Sequence, residues 1–310
     1  MKVDSHQHIW TAPLIAALAQ RDRLPLVRIQ DGVTILHGAG ELPYVIDVEA
    51  EAPQRRAALV HGDGLDLALI AISSPIGIEA LDRGSADELI DAHLQGVGAL
   101  GAGFEAWGPL ALSEPDADDV DRLRERGCTG ISLPAGALAG PEWLDVVSPV
   151  LERAAEWGMP VFVHPGRAPG SSAVEATMNE PLWWRALTDY VVQMQAAWLT
   201  FATEGRRQHP ELVVVFAMLA GGAPLLCERL DARGGPGVDL RDPGVYYDTS
   251  SYGPVAIEAM ARRVGGDQLV YGSDRPVVEP VPIGREVILQ ANAATALFGA
   301  PALAIAGASA

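Results

Sequence analysis

The residues with the most chemical reach stand together near the start of the chain, in Asp4-Ser5-His6-Gln7-His8. Side chains two apart on a strand share a face, so in an extended segment His6 and His8 can offer imidazole nitrogens to one ion. A His-x-His pair alone is a weak signal, but two further residues add to it. His164 ends the apolar run of Pro160-Val-Phe-Val-His164, and Asp274, in Tyr271-Gly-Ser-Asp274-Arg275-Pro276, sits where another run stops. Three imidazoles and one carboxylate suit a single divalent cation, Zn²⁺ first and Mn²⁺ second, with a coordination position left for water. Asp274 is then also the candidate general base. Arg275 beside it is a candidate catalytic helper, because a guanidinium can grip a substrate carboxylate or support oxyanion charge; the plainer reading is an ion pair that fixes a loop.

These residues need a scaffold that brings distant segments together. Eight short apolar runs recur, each followed by a turn and a helix-like stretch: 3–9, 65–72, 99–112, 130–133, 160–163, 212–219, 245–249 and 268–272. Several, such as Leu-Val-Val-Val-Phe-Ala-Met-Leu at 212–219, are continuous in apolar residues, as strands covered on both faces are. The pattern predicts an α/β fold, a (β/α)8 TIM barrel occupying residues 1–300 as one domain, with 301–310 as a tail. Helices are expected at 141–157, 224–233 and 284–298, bounded by Pro and Gly. Residues 11–64 and 166–211 are too long for simple connections and read as insertions after the first and fifth strands, on the face where barrel enzymes carry their sites. The first holds strand-like pieces around Asp31-Gly32 and 38–40, a small β flap. The second holds an amphipathic helix over about 182–203 with Trp183, Trp184, Tyr190, Gln193 and Trp198.

On such a barrel His6, His8, His164 and Asp274 all fall at carboxyl ends of strands one, five and eight. Trp10 and Trp107 follow strands one and three and are candidates to wall a substrate pocket. Ser73, Ser250 and Tyr252 follow strands two and seven and are candidate hydroxyl donors to a substrate. His209 precedes strand six, at the opposite face, and His61 and His93 fall in or near expected helices.

Composition narrows the partners. Asp and Glu outnumber Lys and Arg 40 to 22, a net charge of −18, and no basic cluster could neutralise a run of phosphates, which argues against nucleic acid. No stretch of 18 uncharged apolar residues suggests a membrane span, and the opening MKVDSHQHIW lacks the apolar segment of a signal peptide. Cys128 and Cys227 fit a reducing compartment. The expectation is a soluble cytoplasmic protein acting on a small molecule, and the tryptophan-bearing insertion suits a homodimer.

The stretches VDSHQHIW, VFVHPG, PELVVVF, YGSDRPV and the closing NAATALFG resemble the amidohydrolase superfamily, in particular the amidohydrolase-related family of lactonases and aminocarboxymuconate-semialdehyde-type decarboxylases. The resemblance spans nearly the whole chain and implies a distorted barrel with a metal at His6, His8, His164 and Asp274. Two departures matter. Many members bridge two metals with a lysine or glutamate on strand four, whereas here that strand reads Gly130-Ile-Ser-Leu-Pro-Ala-Gly136 and Lys2 is the only lysine, so one metal is the simpler reading. Strand six of relatives ends in a histidine before glycines, and here the chain reads Ala217-Met218-Leu219-Ala220-Gly221-Gly222. His37, in the first insertion, is the candidate to replace that histidine near the substrate. The leading expectation is a mononuclear metal-dependent hydrolase of a small amide, lactone or ester using a metal-activated water. The alternatives are a metal-dependent non-oxidative decarboxylase of an aromatic or unsaturated acid, and a barrel that binds a small molecule without transforming it.

Overall fold

Apolar side chains on both faces turn the eight runs into strands that must be covered twice, once by the barrel interior and once by helices. The computed structural model describes residues 1–171 and 179–299; the 301–310 tail and part of the second insertion lie outside the described residues. In chain order the strands are β1 (Val3–Gln7), then β2 (Leu26–Gln30), β3 (Val33–His37) and β4 (Tyr44–Ile46) of the first insertion, and β5 (Leu67–Ile70). They continue with β6 (Phe104–Pro109), β7 (Gly130–Pro134), β8 (Val161–His164), β9 (Val214–Phe216), β10 (Val245–Asp248) and β11 (Leu269–Val270). β1 and β5 to β11 form one parallel sheet in sequence order.

The sheet closes on itself. The Ser5 N–H donates to the Tyr271 carbonyl at 2.9 Å and the His8 N–H to the Arg275 carbonyl at 2.7 Å, which joins β1 to the chain beyond β11. The eight-stranded barrel read from the sequence is therefore present, and its closure carries Asp274 to the first strand. Phe162, Trp107 and Ile131 are among its fully buried residues. Helices Arg83–Gly98, Ala117–Glu125, Pro141–Glu156, Pro254–Val264 and Glu286–Phe298 alternate with the strands. Two of them begin at proline, which tolerates a first helical position because no intrahelical bond needs its missing N–H.

The expected flap is an antiparallel sheet, β2-β3-β4. Asp31 and Gly32 form its two-residue turn at φ 51° and 81°, the left-handed pair that suits the twist of a hairpin. Alternation then buries Val27, Thr34, Leu36 and Ile46 on one face. The second insertion carries the expected helix, Trp184–Thr200, which continues through a π turn to Gln208. Trp198 is buried and donates to the Tyr247 hydroxyl at 3.0 Å, whereas Trp183 and Trp184 stand exposed. No described helix is long and apolar enough to cross a membrane.

The helix expected over 224–233 shrinks to Cys227–Ala232. Ahead of it, Met218, Leu219, Ala220, Gly221 and Gly222 all have left-handed φ, from 51° to 75°. Non-glycine residues pay about 1–2 kcal/mol each for this conformation, so tertiary contacts must hold the turn. Asp248 accepts from the Met218 N–H at 3.1 Å and Gln195 donates to the Gly221 carbonyl at 2.9 Å.

Candidate metal centre

Inward-facing positions of β1 alternate, so His6 and the following His8 point to one side of the strand end. Their Nε2 atoms lie 3.1 Å apart, and Asp274 Oδ1 lies 3.5 Å from His6 Nε2 and 3.3 Å from His8 Nε2. His164, the last residue of β8, places its ring centroid 5.0 Å from that of His6 and 4.9 Å from that of His8. One ligand atom from each of the four residues falls within 4.8 Å of all the others. Barrel closure explains the fourth member, since the Asp274 N–H donates to the His6 carbonyl at 2.8 Å while Asp274 itself sits at φ 59°.

The far nitrogen of every imidazole is already engaged. His8 Nδ1 donates to the Ala71 carbonyl and His164 Nδ1 to the Pro165 carbonyl, both at 2.9 Å. His6 Nδ1 is 2.7 Å from Asp248 Oδ2. In the neutral ring each bond favours the tautomer whose Nε2 lone pair faces the centre, as metal-ligating histidines require. These donors fit a mononuclear divalent cation, and among the described residues they need no lysine or further carboxylate.

Electrostatics agree with the donor set. Burial alone would lower the pKa of His6, but the charges of Asp248 and Asp274 outweigh it and raise it to about 9. The field that draws a proton there would draw a dication more strongly. Burial lowers the pKa of His164, with His8 and His6 adding to the effect, so this imidazole stays neutral and able to ligate. Burial would raise Asp274, yet His6 and His8 more than compensate and its carboxyl stays below the ordinary range. Asp274 is therefore the ionised edge of the cluster, with Ser251 donating to its Oδ2 at 3.3 Å.

Asp248, at the end of β10, was missed in the sequence reading, although the rule that found His164 and Asp274, a polar residue ending an apolar run, applies to it as well. Gly272 makes the His6–Asp248 pair sterically feasible, because a Cβ there would lie 2.8 Å from Asp248 Cγ and 2.9 Å from His6 Cβ. Asp4 ties the strand to the loop bearing Asp274: its Oδ1 accepts from the His6 and Ser273 N–H groups at 3.1 and 3.0 Å. Tyr44 was also missed. Its ring rests 6.2 Å from that of Trp10, which is buried at the end of the first strand segment.

The remaining candidates fall in varied places. Trp107 is fully buried, stacked 5.2 Å from Phe162 and donating to the Ser5 carbonyl at 2.9 Å; it fills the barrel core and does not wall a pocket. Ser250 is buried and donates to Asp248, so its hydroxyl braces that carboxylate. Ser73 precedes the tight turn Ser74–Ile76, and Tyr252 is partly buried after β10. Arg275 adopts the plainer arrangement, with Nε 3.5 Å from Asp63 and Nη1 2.8 Å from Glu279. His37 ends β3 on the face opposite Leu36, whose register partner is Tyr44, so the flap turns Tyr44 and not His37 toward Trp10. Nearby, Glu79 is fully buried, accepts from Ser74, and is pushed up to about 7 by desolvation.

Solved structures share this architecture. The IDCase of Metarhizium anisopliae superimposes with a TM-score of 0.70 at 20% identity, covering 97% of this chain and 93% of that one. A 5-carboxyvanillate decarboxylase from Novosphingobium aromaticivorans, complexed with manganese and 4-hydroxy-3-methoxy-5-nitrobenzoic acid, gives 0.65 at 18% over 96% of both chains. The 2,6-dihydroxybenzoate decarboxylase of Rhizobium gives 0.64 at 15%, over 96% of this chain and 98% of that one. The chain shares their fold. No family model and no curated protein matches its sequence. The shared barrel fold is what places strand ends one, five and eight around a single point, and the three imidazoles and one carboxylate found there belong to this chain's own geometry.

Proposed function

We propose that this protein is a metal-dependent decarboxylase of a small aromatic or unsaturated carboxylic acid, built on an amidohydrolase-superfamily barrel. The observation that carries the reading is the buried cluster of His6, His8, His164 and Asp274 on a fold shared with decarboxylases of hydroxylated benzoic acids. It replaces the hydrolase as the leading expectation, since the 5-carboxyvanillate and 2,6-dihydroxybenzoate enzymes that share the fold are decarboxylases. Manganese is the first metal to try, with zinc second; His6, His8, His164 and Asp274 would hold it. A divalent cation held there would supply Lewis-acid charge to a bound substrate carboxylate.

The chain's own residues have defined tasks in this reading. Decarboxylation breaks a carbon–carbon bond, releases carbon dioxide and puts a proton on the carbon left behind. Asp274 is the cluster member with the greatest exposure, at 9%, and is the group a substrate meets first. Its carboxylate, ionised at rest, would take a proton from water and pass it to that carbon, while Asp248 and Ser250 hold His6 in place behind it. Met218 stands where a strand-six imidazole would have offered a second proton carrier, so proton handling concentrates on Asp274.

A hydrolase of a small lactone, ester or amide is the second reading, favoured by the ionised state of Asp274, which suits a base acting on water. The deciding experiment incubates the manganese-loaded and zinc-loaded protein with hydroxylated benzoic acids and, separately, with lactones. Metal-dependent release of carbon dioxide from an acid supports the decarboxylase. Acid production from lactones with no carbon dioxide from any acid overturns it in favour of the hydrolase, and tight binding with no turnover of either panel leaves a binding barrel.

A further inference from the structure

The four cluster residues expose between 0 and 9% of their surface, so they lie at the bottom of the barrel mouth beneath other groups. This cover has two parts. The flap sheet extends from Trp10, against which Tyr44 rests, to Ile76 beyond β5, where a Cβ added to Gly38 would lie 3.2 Å from the Ile76 Cα. The second insertion supplies Arg167, three residues beyond His164, and Tyr190 of the helix Trp184–Thr200.

One polar seam joins the two parts. The Tyr190 hydroxyl donates to Glu41 Oε2 at 2.9 Å. The Arg167 guanidinium donates to the Ala39 carbonyl and lies 3.8 Å from Glu41 Oε1. A cleft of about 420 Å³ lies along this seam, with Glu41, Arg167, Arg185, Asp189 and Gln193 on its walls. Its wall residue Gln193 is tied to the chain just past the cluster, since its Oε1 accepts from the Gly166 N–H at 2.8 Å, two residues beyond His164. The flap's inner face is held by buried apolar side chains, Val27, Leu36 and Ile46, whereas its tip is held by these polar contacts. Polar contacts at a partly exposed edge exchange readily for water, so the tip can part from the insertion while the base stays packed.

We propose that this seam is the mouth of the site: the flap tip, Gly38–Glu41, parts from Arg167 and Tyr190 to admit the divalent cation and a small carboxylate through the cleft, and the parting frees the Arg167 guanidinium from Glu41 to meet the carboxylate, while Arg185 stays paired with Glu180. The inference rests on the metal-site reading above, and its test separates the two. A gate alters how fast an ion passes in both directions and leaves affinity unchanged, whereas distorted ligands alter affinity.

The experiment loads the full chain with Mn²⁺ or Zn²⁺ and measures uptake, release to excess EDTA, and equilibrium Kd by competition. Wild type is compared with Tyr190→Phe, Glu41→Gln and the double variant, and hydrogen exchange of backbone amides 39–46 is followed in parallel. The expected result is uptake and release both faster by about tenfold in the double variant, Kd within about twofold, and faster exchange confined to the flap. Unchanged rates, or faster release matched by an equal rise in Kd, overturn the gate. A wild type that takes up neither ion overturns the metal-site reading instead, and amide exchange then decides the gate: acceleration confined to the flap supports it and unaltered exchange overturns it.

Discussion

The rim of the barrel and the seam above it are built on opposite principles. At the rim, strand ends deliver His6, His8, His164 and Asp274, and each imidazole is locked from behind by Asp248, Ala71 or Pro165 at 2.7 to 2.9 Å. At the seam, residues 149 positions apart meet through a tyrosine hydroxyl and a carboxylate at a partly buried edge. Preorganisation belongs where a ligand set must hold one geometry; weak, water-replaceable contact belongs where a path must open and close.

The comparison breaks most sharply if the rim is emptied. His6→Ala with His8→Ala should abolish metal uptake, read as about one equivalent by plasma mass spectrometry in wild type and none in the double variant; retained metal would show that the cluster is not the site. Asp274→Asn keeps the shape and removes the ionisable edge, so turnover should fall by about 10²–10⁴-fold with the circular dichroism spectrum unchanged. An active Asp274→Asn protein would exclude this carboxyl as proton carrier. Asp248→Asn removes the charge behind His6 and should weaken metal binding about 10–100-fold, measured by competition titration. If affinity is unaltered, the brace on His6 has no role in holding the metal.

Smaller effects sharpen the boundary between rim and cover. The Glu79 carboxyl is raised from 4.5 to about 7, so between these values the folded chain keeps a proton that the unfolded chain has lost. Stability should therefore decline as pH rises through that window, and Glu79→Gln should flatten the decline in a series of Tm measurements. A parallel fall in both proteins would remove Glu79 as its source. Tyr190→Phe should cost about 1 kcal/mol, a Tm change of a few degrees, because it deletes one partly exposed hydrogen bond. A much larger loss would mean that the seam is part of the packed core.

What could be read beforehand followed from short-range pattern. His6 and His8 share a face by strand period, and His164 and Asp274 stand where apolar runs stop, so the four cluster residues were legible before any contact was known. The flap was legible from Asp31-Gly32 between apolar alternations, and the helix of the second insertion from its spacing. Trp107 shows where that reasoning fails, and Arg275 where it leaves two readings open. A tryptophan after a strand looks the same whether it faces a pocket or the core, and only the stacking on Phe162 decides. An arginine beside Asp274 reads as a helper or as an ion pair, and only the fold shows that Asp63, more than 200 positions earlier, lies 3.5 Å from it.

The amino-acid sequence by itself determined the strand-and-helix alternation, the inward-facing histidines and the inventory that leaves no bridging lysine, because these depend on side-chain type and local periodicity. Tertiary structure decided what closes the barrel, that Asp248 backs His6, that Met218–Gly222 turn left-handed against local preference, and that Tyr44 rather than His37 faces Trp10. Those are pairings between segments far apart in the chain. They are set by which partners meet when the sheet closes, and no local propensity encodes that meeting.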